Sequence, residues 1–115
     1  MTICDLSDKH CVPCEGGVAP LADDELRKMM ADLHEGWTLD PNGEKITRRM
    51  EFKGFAKAML HANLAAFIGD QEGHHPDIAF GWGYCDVTFS THAIGGLSEN
   101  DFICAAKFDR MVNKG

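Results

Sequence analysis

Residues 77–92, which read DIAFGWGYCDVTFSTH, decide the fold. The first half of this stretch alternates apolar with small residues, and the second half alternates apolar with polar residues. Such a period of two is typical of β-strands, because successive side chains point to opposite faces. With Gly83-Tyr84 as the turn, the stretch predicts a hairpin of two strands. The apolar positions are Ile78, Phe80, Trp82, Val87 and Phe89.

A second hairpin is predicted earlier in the chain. Residues 37–39 form a short strand candidate, a turn follows at Asp40-Pro41-Asn42-Gly43, and apolar residues then alternate with polar ones over residues 45–52. Arg48 interrupts the apolar positions of this second strand. We therefore expect one end of that face to be exposed or to lie at an interface.

Three segments have helical patterns. A helix is predicted from Asp23 to Gly36 and another over residues 55–71, where a broad apolar band exceeds what a lone surface helix needs. Ser98-Glu99-Asn100-Asp101 resembles a capping box and predicts a final helix through Phe108 or beyond. The order α-β-β-α-β-β-α indicates an α+β fold, in which the sheet is mixed or antiparallel and carries its helices on one face.

The composition narrows the classes of function. The chain has 115 residues, 44% of them apolar, and a formal net charge of -7, which suits one small globular domain. An acidic surface argues against non-specific binding of nucleic acid or an anionic membrane, because both require basic surfaces. No apolar run approaches the ~20 residues of a membrane span, and no signal peptide is evident. A cytoplasmic location is expected.

The cysteines are odd in number, which favours reduced thiols over a disulfide framework. Two of the five lie in apolar patterns and are interpreted as small core residues, namely Cys85 and Cys104. Cys11 and Cys14 have the CxxC spacing of zinc and redox sites. The sequence offers no second cysteine pair to complete a zinc site, and the motif lies in a polar leader. A structural role is favoured, with metal or redox chemistry as the alternative.

Three histidines are expected to meet at one end of the second hairpin. His74 and His75 precede its first strand and His92 ends its second, so a fold about Gly83-Tyr84 brings His75 opposite His92. Spacing alone leaves three interpretations open: acid/base catalysis, a zinc site with an open position, and loop residues without chemistry. Adjacent histidines suit the zinc site poorly, because their side chains diverge in extended chain. Three carboxylates are expected nearby, those of Asp70, Asp77 and Asp101.

Residues 70–106 resemble the pterin-4a-carbinolamine dehydratases. The motif of that family is an acidic residue, three others, His-His-Pro, an aromatic residue in the next strand, Ser-Thr-His, Gly-Gly-Leu-Ser/Thr and Asp. Its elements here are Asp70, His74-His75-Pro76, Tyr84 or Trp82, Ser90-Thr91-His92, Gly95-Gly96-Leu97-Ser98 and Asp101. Gly36-Trp37 and the leader from Cys11 to Gly17 also fit, so the resemblance covers almost the whole chain. Asp70 departs from the glutamate usual in animal members.

The resemblance implies a fold, a reaction and an assembly. The fold is a four-stranded antiparallel sheet with three helices packed on one face, in a domain over residues 21–115 that follows a leader over residues 1–20. The reaction is loss of water from a 4a-hydroxytetrahydropterin to give quinonoid dihydropterin, which recycles the pterin of aromatic amino acid hydroxylases. No metal and no organic cofactor is implied. Homodimers or homotetramers are expected.

The resemblance also assigns roles to individual residues. His74 and His92 are expected to act as general acid and general base in an order that stays open, and His75 to hold or polarise the departing hydroxyl. The substrate-binding and orienting residues are Asp70, Pro76, Ser90, Thr91, Asp101 and Trp37, of which Trp37 is either an aromatic wall of the site or a core residue. Two alternatives remain: an enzyme of the same fold acting on another pterin, such as one linked to molybdenum cofactor, and a dimerisation partner of another protein.

Overall fold

The computed structural model describes residues 6–12 and 19–113. Its helices are α1 (Asp23–Ala31), α2 (Ala56–Glu72) and α3 (Glu99–Asn113). Its strands are β1 (Trp37–Leu39), β2 (Ile46–Glu51), β3 (Asp77–Gly81) and β4 (Tyr84–Phe89). Short 3₁₀ turns lie at Leu6–Asp8 and His92–Ile94. The predicted order of helices and strands is confirmed.

The four strands form one sheet in the order β1-β2-β4-β3, and each neighbouring pair is antiparallel. Every second residue of β2 and of β4 is buried, while the residues between them are half-buried or exposed. The buried faces of these strands meet α2 and α3, so the helices cover one side of the sheet. The α+β fold expected from the sequence is therefore correct, with the sheet antiparallel throughout.

The turn of the second hairpin lies one residue earlier than predicted. Gly81 pairs with Tyr84, so the connection is Trp82-Gly83 and Tyr84 belongs to β4. Gly83 is thus the second central residue of a tight turn. It adopts a φ of 88°, in the left-handed region that favours glycine. Because the turn lies one residue earlier, each residue of β3 faces a position of β4 that is two residues earlier than predicted. Continued past Asp77 and Thr88, the register brings His74 level with Thr91, whereas the predicted turn would place Pro76 there.

Of the two expectations for the β2 face, an exposed end or an interface, the exposed end is wrong, because Arg48 is buried. Arg48 is 7% exposed, and its Nη1 donates to Asp109 Oδ1 of α3 at 2.6 Å. Trp37 Nε1 donates to the same oxygen at 2.8 Å, and the backbone N–H of His34 donates to Asp109 Oδ2 at 3.0 Å. The alternation along β2 did not reveal this role, because the partner carboxylate lies 61 residues further along the chain.

The described part of the leader packs on the domain. Cys11 N–H donates to Glu72 Oε1 at 2.8 Å, and Lys9 Nζ donates to Glu99 Oε2 at 2.7 Å. Burial raises the pKa of Glu72, but the hydrogen bonds from Cys11 and His10 outweigh it and leave the pKa below its usual value. Glu72 therefore stays ionised at neutral pH and keeps these contacts. Cys4 and Cys14, and with Cys14 the CxxC motif, lie outside the described residues.

Neither a membrane-spanning helix nor a metal-ligand cluster occurs among the described residues. None of the helices formed by residues 6–12 and 19–113 is both long and apolar enough to cross a bilayer. Within the same ranges, no cluster of three or more His, Cys, Asp or Glu side chains is arranged to hold a metal ion.

Candidate active site

The end of α2 positions His74. Gly73 follows the helix with a φ of 67°, and its N–H bonds to Asp70 O, while the His74 N–H bonds to Gly69 O at 3.0 Å. This pair of hydrogen bonds is a Schellman motif, which stops the helix and turns the chain back. Gly69 permits the return, because a Cβ there would lie 2.5 Å from Pro76 Cδ. The loop that carries the adjacent histidines is thus fixed by two glycines of α2 and its cap.

His74 is paired with a fully buried carboxylate. Its Nε2 lies 2.6 Å from Oδ1 of Asp101, a residue of α3 with 0% exposure. The other oxygen of Asp101 accepts from Thr91 Oγ1 at 2.7 Å and from Ser98 N at 2.9 Å. A carboxylate that accepts from three donors holds each of them in one orientation. The His74 ring also stacks on Phe89, with ring planes 11° apart.

The pairing defines the state of the imidazole. Since a carboxylate only accepts hydrogen bonds, Nε2 of His74 carries the proton, and Nδ1 of the neutral ring carries a lone pair. The side chain of His74 is 13% exposed, so the ring is shielded but reachable. An imidazole with a fixed tautomer and an anion behind it is a ready proton acceptor, because the anion stabilises the imidazolium that forms.

Asp101 has a second role at the start of α3. It is the third residue of the helix, and it accepts the backbone N–H of Ser98, the residue before the helix. This contact is one half of a capping box, which satisfies a backbone donor that the helix leaves unpaired. The structure therefore contains one of the contacts of the capping box predicted at residues 98–101. The sequence did not reveal that Ser98 contributes to the surroundings of His74.

His92 lines a different part of the same sheet end. With Ser90, Thr91, Gly95 and Gly96 it borders a cleft of about 300 Å³. The opposite wall comes from the turn between β1 and β2, through Asp40, Asn42, Glu44 and Lys45. These turn residues reach the cleft because β2 pairs with β4, so the end of one hairpin lies beside the end of the other. Sequence reasoning predicted the turn but not its place at the site.

Thr91 connects the cleft with the His74 pair. Its hydroxyl is bonded to Asp101 and lies 2.9 Å from the hydroxyl of Ser98, while the residue also borders the cleft. A backbone bridge between Thr91 and Gly96 closes the loop that carries His92. The short segment from Ser90 to Ser98 thus places one histidine at the cleft and holds the carboxylate behind the other.

His75, Asp70 and Pro76 lie on the other side of the histidine loop. They line a groove of about 460 Å³ together with Asn63, Ala66, Phe67 and Ile78 of α2 and β3. His75 Nε2 is 3.6 Å from Asp70 Oδ1, and both side chains are exposed. That distance exceeds an ordinary hydrogen bond, so Asp70 orients His75 only weakly. Of the three histidines, His75 alone borders this groove.

Trp37 is a core residue. It is 4% exposed, its ring contacts Phe89 and Phe108, and its indole N–H is bonded to Asp109. An aromatic wall of a binding site needs an accessible ring face, which this packing does not provide. Of the two roles expected for Trp37, the aromatic wall is therefore wrong and the core position is correct.

The fold and the site together define a class: a small α+β protein with a carboxylate-oriented histidine beside a cleft that carries a second histidine. The family model described as "Pterin 4 alpha carbinolamine dehydratase" matches residues 19–111. The chain belongs to the pterin-4a-carbinolamine dehydratase family, as its sequence motifs indicated.

Curated relatives match over nearly the whole chain. A protein of Nitrosomonas europaea is 50% identical over 109 residues, covering 95% of each chain. A protein of Rickettsia bellii is 45% identical over 114 residues, covering 98% of this chain and 100% of its own. Both carry the name "Putative pterin-4-alpha-carbinolamine dehydratase".

Two solved structures share the fold. A crystal structure from Brucella melitensis, described as a transcriptional coactivator/pterin dehydratase, has a TM-score of 0.73 and 30% identity, and the match covers 80% of this chain and 97% of that one. A pterin dehydratase-like protein described as a RuBisCO assembly factor of the α-carboxysome has a TM-score of 0.56 and 23% identity, covering 68% and 90%. The second likeness concerns the fold alone.

Proposed function

We propose that this protein removes water from a 4a-hydroxytetrahydropterin to give quinonoid dihydropterin. The observation that carries the proposal is the buried pair of His74 and Asp101, joined through Thr91 to the cleft that His92 lines. Membership of the dehydratase family supports the substrate class. The reaction recycles the pterin oxidised by aromatic amino acid hydroxylases, and this recycling is part of the proposal.

The chemistry requires two proton transfers. The bond between C4a and the hydroxyl oxygen breaks, the hydroxyl leaves as water after it gains a proton, and N5 loses its proton as the double bond between N5 and C4a forms. One group must therefore give a proton and another must accept one. Imidazole serves both purposes near neutral pH without a metal.

We assign His74 as the base and His92 as the acid. Asp101 accepts from Nε2 of His74 and stabilises the imidazolium, which favours removal of the N5 proton by Nδ1. His92 is exposed at the cleft and can be protonated from solvent before it donates to the leaving hydroxyl. In this assignment Asp101 and Thr91 position His74, while Ser90 and Gly96 border the flat pterin.

For His75, Asp70 and Pro76 we propose a binding role. Their groove lies against α2, and His75 has only the weak Asp70 contact to orient it. This arrangement suits a side chain that contacts the bound substrate from the groove better than one that must transfer a proton in a fixed geometry.

The direct test is a dehydration assay with substrate generated in situ by an aromatic amino acid hydroxylase. We expect the wild-type protein to speed the appearance of quinonoid dihydropterin, followed by its absorbance, above the spontaneous rate. The same protein denatured and removed by filtration serves as the control. A folded protein that leaves the rate at its spontaneous value would rule out the proposed reaction.

We also propose a homo-oligomer, with binding of another protein as the second candidate role. The supporting observation is a set of apolar side chains that remain exposed on α2, β3 and the turn beyond β3. They include Phe55 (50% exposed), Leu60 (54%), Phe67 (57%) and Trp82 (72%). Several large exposed apolar side chains on neighbouring elements, two of which (Phe55 and Phe80) are in ring contact, support a contact site between proteins.

Light scattering after gel filtration tests the assembly. We expect wild type to elute as a dimer or tetramer and Phe67→Glu to shift toward the monomer, because a charge on that surface opposes its burial. Thr38→Glu, on the exposed edge strand β1, is the matched control and should keep the wild-type mass. A monomeric wild type would contradict the oligomer and leave the apolar surface for a different protein.

A further inference from the structure

Two thiols outside the candidate site lie in contact. Sγ of Cys11, in the N-terminal segment, is 3.5 Å from Sγ of Cys104, on α3. Cys11 is half-buried and Cys104 is fully buried, and both are free. A disulfide requires sulfurs about 2.05 Å apart, so the pair lies about 1.5 Å from bonding distance.

Contacts on both sides hold Cys11 against Cys104. The Cys11 N–H is bonded to Glu72, and the Val12 N–H donates to Asn100 Oδ1 at 3.1 Å. Asn100 Nδ2 in turn donates to Val12 O, which closes a two-bond clamp between the segment and α3. The approach of the two sulfurs is therefore set by three hydrogen bonds to Glu72 and Asn100.

We propose that Cys11 and Cys104 form a reversible dithiol/disulfide pair that ties the N-terminal segment to α3. The inference differs from the CxxC interpretation of the sequence, because the partner of Cys11 is a distant core cysteine and not Cys14. It does not depend on the proposed dehydratase activity, since no pterin takes part.

A small-molecule disulfide such as glutathione disulfide is a sufficient oxidant. The Cys11 thiolate attacks one sulfur of the oxidant, the oxidant S–S bond breaks, and one glutathione leaves. The Cys104 sulfur then attacks Cys11 Sγ, which forms the protein disulfide and releases the second glutathione. Two protein thiols are oxidised, one disulfide is reduced to two thiols, and the two thiol protons end on the two glutathione molecules.

The order of the two steps follows from the surroundings of the sulfurs. The hydrogen bond with Cys11 raises the pKa of Cys104, and burial raises it further, so Cys104 remains a thiol at neutral pH. Cys11, the more exposed of the two, therefore reacts first with the oxidant, and Cys104 resolves the mixed disulfide at short range. The Cys104 thiol also lies 3.9 Å from His74 O, so the pair adjoins the histidine loop.

The test is disulfide mapping of the folded full-length protein after glutathione disulfide treatment. We expect the loss of two hydrogen atoms per chain and a proteolytic fragment in which Cys11 is joined to Cys104, with both changes reversed by dithiothreitol. The double variant C4S/C14S should still form this link, and adding C104S to it should abolish the link. Cys85 is an internal control, because it is fully buried in β4 and shielded from the oxidant, whereas Cys104 lies in contact with Cys11.

Two results would overturn the proposal. One is a folded C4S/C14S protein that forms no link between Cys11 and Cys104 while free glutathione disulfide is in excess. The other is a Tm that falls on oxidation, which would mean that the native fold cannot hold the bond. With the bond accommodated, we expect the Tm to rise by at least about 5 °C, because the link closes a long loop in the unfolded chain.

Discussion

His74→Gln is expected to lower kcat/KM for the dehydration by about 10²- to 10⁴-fold, the range for loss of a positioned acid or base. The glutamine amide can still donate to Asp101, so the buried carboxylate keeps its third partner. It has no ring nitrogen to accept the N5 proton. His92→Gln should have an effect of similar size, because it removes the proposed acid from the cleft.

The measurement is the initial rate of quinonoid dihydropterin formation at several substrate concentrations, with circular dichroism to show that each variant is folded. His61→Gln is the matched control, because His61 lies in α2, bonds to Lys57 O and contacts Phe52 away from the cleft. It should retain the wild-type rate. Unchanged rates in both folded His74→Gln and His92→Gln would refute the assignment of acid and base.

Asp109→Ala is expected to cost about 3–5 kcal/mol of unfolding free energy, the range for breaking a buried ion pair by removal of one partner. The change leaves the guanidinium of Arg48 buried without its carboxylate, and it also removes the acceptor of the Trp37 and His34 N–H groups. Urea unfolding of both proteins, fitted with one common slope of free energy against urea concentration, gives the difference in unfolding free energy.

A control and a rescue separate the ion pair from other effects. Asp8→Ala breaks the exposed contact between Asp8 and Arg110 and should cost no more than about 1 kcal/mol. The double variant Arg48→Met/Asp109→Leu should recover much of the loss, because no buried charge then lacks a partner. A loss below about 1 kcal/mol in Asp109→Ala would show that water reaches Arg48 readily.

Local patterns predicted the elements of this fold well. The alternation of apolar residues in β2 and β4 and the helical spacing over α2 each depend on neighbours within a few positions, which the sequence displays. The hairpin turn was misplaced by one residue, since Gly83 and the adjoining Trp82 and Tyr84 permit either pivot. That single step decided whether His74 or Pro76 would lie level with Thr91.

Contacts between distant segments were harder to predict. Arg48 looked like an exposed interruption because nothing near it in sequence signals Asp109. The family motif identified His74, Thr91 and Asp101 as site residues. It did not reveal which groups donate hydrogen bonds to each carboxylate oxygen of Asp101. The sequence also did not reveal that His92 borders the cleft and His75 borders the groove. That depends on the direction of each side chain in its loop, which the residue types do not determine.

One carboxylate, that of Asp101, starts a helix and orients a histidine at the same time. Removal of this carboxylate therefore alters the imidazole and the first turn of α3 together, because one oxygen accepts from His74 and the other accepts from Ser98. Selection for activity and selection for stability act here on the same side chain. Variation in this protein that adapts it to other substrates is consequently expected in the cleft walls, such as the turn between β1 and β2, and not at this carboxylate.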